Sequence, residues 1–203
     1  MQVRNLIVGA LLFSCTGHVN AQSLTLRVDN IDQIVDSMTL EEKVNLLVGR
    51  NDYLFGGYEK LDKAPRVMDS SISGFTQVIP RLGIPATGLA DGPAGAVVVT
   101  RPDSKKNYYA TGFPIGSLLA CSWNTGLVET IGQAIGNEIL EYGVDVVLAP
   151  GMNIHRSPLC GRNYEYFSED PVLTGKIAAA YIRGVQSNGV GACLLYTSDA
   201  ADE

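Results

Sequence analysis

Residues 144–171 read VDVVLAPGMNIHRSPLCGRNYEYFSEDP, and their reading decides the fold. The stretch opens on an apolar, β-branched run (Val144, Val146, Val147, Leu148) that breaks at Ala149-Pro150-Gly151. Such a run, bounded by Pro and Gly, predicts a short buried strand. The loop after it collects His155, Arg156, Arg162, Glu165, Glu169, Asp170, Tyr164 and Tyr166. A buried strand ending in a loop dense with polar groups is how an α/β protein presents chemistry to a ligand. A solvated surface loop is the plainer alternative.

Working outward, Asp170-Pro171 predicts a helix start, with Asp170 as N-cap and Pro171 at the first helical position. Val172, Leu173, Ile177, Ala180, Tyr181 and Val185 line that helix, Asn188-Gly189 closes it, and residues 191–195 begin another short strand. Upstream, Asn124 or Thr125 caps a helix with Leu127, Ile131, Ile135 and Ile139 on its apolar face, and Gly143 stops it. Residues 84–89 predict a strand that runs into Ala90-Asp91-Gly92-Pro93-Ala94-Gly95. Two glycines and a proline around one carboxylate make a rigid, uncluttered turn, in which Asp91 alone would read as a turn former. Strands alternating with helices imply parallel pairing through right-handed crossovers. Ligands then sit at the carboxyl ends of the strands, so Asp91 and the 149–170 loop open onto one face.

Nearer the amino end, Ile31, Ile34, Val35 and Met38 fall at helical spacing. Thr39 and Glu42 form a capping box for a second helix, whose expected apolar face is Leu40, Val44, Leu47 and Val48, with Gly49 ending it. Residues 50–80 and 100–112 read as loops, and 115–120 as a short apolar segment. Residues 1–21 read as a signal peptide: Arg4 is the positive n-region, residues 6–13 the apolar core, and Val19-Asn20-Ala21 the cleavage site. Leu12-Phe13-Ser14-Cys15 also outlines a lipid-attachment box, so the expectation is a periplasmic or extracellular protein, or one anchored through Cys15. The apolar run is too short to span a bilayer.

The net charge of -6 and pI of about 4.9, with scattered Lys and Arg, give no electrostatic footprint for nucleic acid. Beyond the signal region, Cys121, Cys160 and Cys193 lack CxxC spacing and neighbouring His, and read as core or loop thiols. His18 and His155 are the two histidines of the chain, which speaks against a metal-dependent hydrolase.

The motifs 89–95 (LADGPAG), 122–124 (SWN), 148–150 (LAP) with 153–156 (NIHR), 160–165 (CGRNYE) and 168–171 (SEDP) resemble glycoside hydrolase family 3, its β-glucosidase branch above all. MTLEEK at 38–43 and GVQS at 184–187 are similar to two of its helices, so the resemblance covers about residues 30–194. It implies a (β/α)8 barrel of the TIM type, here incomplete, with roughly the first three strand–helix units in residues 22–194. It also implies a retaining, cofactor-free mechanism on terminal non-reducing β-D-glycosyl residues, with an Asp nucleophile and a Glu acid/base. Under that resemblance Asp91 hydrogen-bonds hydroxyls of the terminal sugar and Arg162 contacts it from the other side. A carboxylate and a planar guanidinium can each grip vicinal hydroxyls in two places. His155, Arg156 and Glu165 are second choices: Glu165 reads first as a brace for Arg162, and Arg156 equally as a loop-bracing ion pair. Tyr164 and Tyr166 could wall a sugar, although loop packing is the commoner use.

Two departures stand out. The family often places a hydrophobic residue and an Arg after DGPAG, where this chain has Ala96-Val97, leaving Arg101 as a substitute. After residues 191–194 the family continues Lys-His-Phe, and both polar residues bind sugar there; this chain has Leu195-Tyr196-Thr197. The expectation is therefore that 195–203 is a non-native tail, that the nucleophile and acid/base lie outside the chain, and that the chain alone is inactive. The rival expectations are a non-catalytic sugar-binding protein on the same scaffold and an unrelated TIM-barrel enzyme.

Overall fold

The computed structural model describes residues 24–49, 70–71, 73–100 and 107–195. In chain order the elements are α1 (Ile31–Ser37), α2 (Leu40–Val48), β1 (Ser70–Ser71), β2 (Gly74–Phe75), β3 (Gly88–Asp91) and β4 (Val99–Thr100). Then follow α3 (Gly116–Cys121), α4 (Thr125–Glu141), β5 (Val146–Leu148), α5 (Pro171–Gln186) and β6 (Gly191–Ala192). β3, β5 and β6 are parallel neighbours, as the strand–helix alternation requires, and β2 joins the outer side of β3 antiparallel. The result is an α/β fold around a small mixed sheet, with β1 and β4 forming a separate antiparallel pair.

The caps follow the side-chain chemistry. Thr39 and Glu42 exchange both bonds of a capping box. Asn124 accepts from the Leu127 amide at 3.0 Å, and Asp170 from the Val172 amide at 2.8 Å, with Pro171 next. Each cap satisfies an orphan donor at its helix start.

The main core lies between the sheet and the α4–α5 pair. Val128, Ile135, Ile139, Val147, Ile177, Tyr181 and Val185 are all fully buried there. At about 1.5–3 kcal/mol for each large apolar side chain removed from water, this body dominates the stability of the described chain. A smaller cluster of Ile34, Met38, Ile79 and Leu82 holds α1. The helices α4 and α5 touch at glycine: a Cβ on Gly184 would lie 2.2 Å from the Glu129 carbonyl oxygen, and one on Gly132 2.5 Å from that of Tyr181.

Several expectations are corrected. The strand foreseen at 84–89 is displaced to Gly88–Asp91, because Ile84 folds back onto Ile79 across a 3-10 turn at Pro80–Leu82 and Pro85 has no amide for a ladder. The segment at 115–120 is the helix α3, and the loop foreseen at 50–80 contains β1 and β2. The expected apolar face of α2 points outward: Leu40, Leu47 and Val48 are more than three-quarters exposed. Leu46 packs inward instead, and Arg81 bonds Glu42 and the Ser37 carbonyl beside the start of the helix. On α4 Val128 takes the buried position expected of Leu127, and on α5 Val172 is exposed. Residues 50–69, the signal peptide and Arg101 lie outside the described residues.

Candidate functional site

Asp91 is the last residue of β3, in register with Leu148 at the end of β5. Its side chain is exposed, while its amide donates to Ser73 Oγ at 2.8 Å and its carbonyl accepts from the Val97 amide at 2.9 Å. The backbone of the turn is therefore fixed on both sides of the carboxylate. Beneath it, the Tyr181 hydroxyl donates to the Gly92 carbonyl at 3.2 Å. Burial pushes the Tyr181 phenol well above its ordinary range, so it remains a donor.

The polar loop starts from the neighbouring strand end. Gly151 bridges Leu195 in parallel, and the Leu195 amide donates to the Pro150 carbonyl at 3.2 Å. Asp91, the 149–151 turn and Leu195 thus share the carboxyl edge of the sheet, and Leu195 holds the place where the family resemblance expects a lysine. The chain then returns over that edge: a Cβ on Gly151 would lie 3.0 Å from the Tyr166 ring and 3.7 Å from Glu165 Cγ.

Arg162 is half-exposed and forms an ion pair with Glu165, whose side chain is 8% exposed. The hydrogen bond to Glu165 raises the Arg162 pKa, so the guanidinium stays charged. Glu165 thus pairs with Arg162, the brace that was its first reading. His155 packs its ring near Tyr166, with centroids 6.3 Å apart, and its buried Nε2 has no hydrogen-bond partner. Its amide donates to the Ser168 carbonyl at 3.2 Å, so His155 ties the loop to the start of α5. Arg156 is exposed. Tyr166 is buried and packs the loop, whereas Tyr164 is exposed.

A cleft of about 280 Å³ brings the two halves together, walled by residues 92–97, 110–112, Ile115, Gly116, Tyr164 and Glu165. Of the five residues singled out from sequence, Glu165 lines this cleft, and Arg162 is tethered to it through the ion pair. Asp91 immediately precedes the lining turn, and His155 and Arg156 are not among the lining residues. Two contributors escaped the sequence reading. Ser117 sits against the carbonyls of the Arg162 turn, and nothing in its local pattern marks it. Tyr181 was legible only as core, although a phenol on the buried face of a helix implies a polar partner.

Among the described residues no cluster of His, Cys, Asp or Glu could hold a metal ion, and no helix is long and apolar enough to cross a membrane. The arrangement offers a carboxylate and a fixed guanidinium beside a shallow cleft, a pairing suited to neutral polyhydroxylated ligands.

Comparison with known proteins gives the same direction. Residues 63–194 match the glycosyl hydrolase family 3 N-terminal domain. The chain is 43% identical over 170 residues to thermostable β-glucosidase B of Acetivibrio thermocellus, covering 81% of this chain and 20% of that protein. It is 36% identical over 165 residues to an exo-α-(1→6)-L-arabinopyranosidase of Bifidobacterium longum, covering 79% and 19%. Among solved structures, β-glucosidase 3B from Thermotoga neapolitana in complex with α-D-glucose superposes with a TM-score of 0.69 at 50% identity, over 81% of this chain and 22% of that one. The chain spans about a fifth of the length of the curated relatives it matches. With more than half of its residues matched to that N-terminal domain, the chain belongs to glycosyl hydrolase family 3.

Proposed function

We propose that this chain is the N-terminal part of an exported, retaining β-glycosidase that removes terminal non-reducing β-D-glycosyl residues. Asp91 and Arg162 are assigned to the subsite for that terminal sugar, with Glu165 as the brace and His155 and Arg156 as supporting loop residues. The observation that carries the reading is the shared carboxyl edge of β3 and β5. Asp91 ends one strand there, and the loop from the other returns with the Arg162–Glu165 pair beside the same cleft. In parallel α/β folds this edge is where substrates bind. The parallel strands β3, β5 and β6 are read as the first units of a barrel, and the nucleophile and acid/base as residues of a longer protein. The leader at residues 1–21 is read as an export signal, either cleaved or replaced by acylation of Cys15. Residues 195–203 are read as foreign to the gene, since Leu195 interrupts the motif at the sheet edge.

The test is the full-length gene product assayed on a panel of aryl glycosides, with the anomer formed first followed by NMR. The expected result is turnover of the aryl β-glucoside with retention, weakened by Asp91→Asn. The panel includes the α-L-arabinopyranoside, because one relative carries that activity in its name. Sugar binding without turnover on any member would instead favour a non-catalytic sugar-binding protein.

A further inference from the structure

We propose that Ser117 is a positioning residue for Arg162, acting through the backbone of the turn that carries it. This rests on the reading of Arg162 as a sugar-binding group. Ser117 Oγ lies 3.1 Å from the carbonyl oxygen of Asn163, 3.0 Å from that of Tyr164 and 3.0 Å from that of Tyr166. A serine hydroxyl carries one proton, so it donates to one carbonyl at a time while the other two remain acceptors within reach. Three carbonyls from one four-residue stretch thus converge on one donor. The Asn163 carbonyl also accepts from the Tyr166 amide at 3.2 Å, so the Ser117 proton serves chiefly the Tyr164 and Tyr166 carbonyls, for which a lost donor is costly.

The wall itself is fixed. α3 buries Leu119 and Ala120 in the main core, and its first residue, Gly116, touches the turn directly. A Cβ on Gly116 would lie 2.2 Å from the Glu165 carbonyl oxygen, so the backbone of α3 approaches the turn as closely as a glycine allows. The residue between the captured carbonyls is Glu165, whose enclosed carboxylate holds Arg162. The physical chain therefore runs from the core through α3, the Ser117 hydroxyl and the 163–166 carbonyls to Glu165 and the guanidinium. A polar group aimed at a substrate depends on such support for its placement. The turn from Asn163 to Glu165 has no side-chain cap; the Asn163 side-chain amide ties it to the Ser157 carbonyl at 2.7 Å within the loop, and Ser117 ties it to the core.

The test measures kcat/KM on an aryl β-glucoside in the full-length protein for Ser117→Ala, Ser117→Thr, Arg162→Ala and the Ser117→Ala/Arg162→Ala pair. Loss of placement predicts a fall of about tenfold in Ser117→Ala, since misplacement by about an ångström is strongly felt at a binding site. Ser117→Thr, which keeps the hydroxyl, recovers most of it. The double variant is no worse than Arg162→Ala, because Ser117 acts through that residue. Losses that multiply, or full activity in Ser117→Ala while Arg162→Ala is impaired, overturn the proposal alone. Full activity in Arg162→Ala overturns the sugar-binding reading and the proposal with it. If Ser117→Ala lacks a cooperative thermal transition, Ser117→Cys, nearly isosteric and a weak donor, carries the same expectations.

Discussion

The Tyr181 hydroxyl on α5 donates to the Gly92 carbonyl at 3.2 Å, joining residues 89 positions apart. The helix that packs the core thereby also pins the turn that follows Asp91. Tyr181 is fully buried and Gly92 is buried, so no exposed surface lets water replace the phenol cheaply. The Gly92 carbonyl also accepts from the Gly95 amide at 3.2 Å, so Tyr181→Phe is expected to cost about 0.5–1.5 kcal/mol, the net worth of one hydrogen bond. Urea denaturation of the full-length protein checks this, and an unchanged midpoint would show that the Gly95 amide alone satisfies the Gly92 carbonyl.

The glycine contact between α4 and α5 predicts a larger effect for a smaller change. Gly184→Ala places a methyl group 2.2 Å from the Glu129 carbonyl oxygen, where backbone on both sides must move. Overpacking of this kind costs about 1–3 kcal/mol. The prediction is read as a lowered unfolding midpoint, with Gly175→Ala as the control because its Cβ would meet nothing within 4 Å.

Arg162 and Glu165 are expected to differ in how their loss is felt. Arg162→Lys keeps the charge but loses the planar fork, and kcat/KM falls about tenfold or more, as for a lost charge-assisted hydrogen bond. Glu165→Ala keeps the guanidinium itself but removes the carboxylate that holds it, so the fall is about the tenfold expected of misplacement. An Arg162→Lys variant with unchanged kcat/KM would show that bidentate contact is not used.

Glu42 supplies a prediction in pH. Its hydrogen bond to Arg81, then that to the Thr39 amide, lowers its pKa from 4.5 to about 2. A depressed carboxylate pKa stabilises the fold above the unfolded value and loses that contribution as pH falls through the folded one. The link between α2 and Arg81 is therefore complete above pH 4.5 and fades toward pH 2. A side-chain NMR titration should place the Glu42 midpoint near 2 and return it toward 4.5 in Arg81→Ala. The pair is exposed, so salt should weaken the shift.

The chain as given, expressed alone, is expected to be aggregated or molten and to hydrolyse no aryl β-glucoside. Among the described residues β6 pairs only with β5, leaving an open parallel edge. A cooperative thermal transition in the isolated chain would count against this. Recovery of the genomic locus decides whether residues 195–203 are foreign. An uninterrupted gene with this tail and a stop would sink that reading.

What the sequence determined by itself was local or periodic. The caps at Thr39, Asn124 and Asp170 were legible because a short polar side chain reaches its own backbone two or three residues on. Parallel pairing of β3, β5 and β6 was legible because a helix between two buried strands allows little else. The family motifs marked Asp91 and Arg162, and Glu165 read first as a brace for Arg162, a pairing the structure shows. Tertiary structure decided the rest, wherever partners are distant in the chain. Arg81, 39 residues from Glu42, bonds the start of α2, whose expected apolar face is exposed among the described residues. The fold of Ile84 back onto Ile79 shifted β3. Ser117 met the carbonyls of the Arg162 turn only because α3 packs beneath it, a contact across 46 to 49 residues that no local pattern encodes.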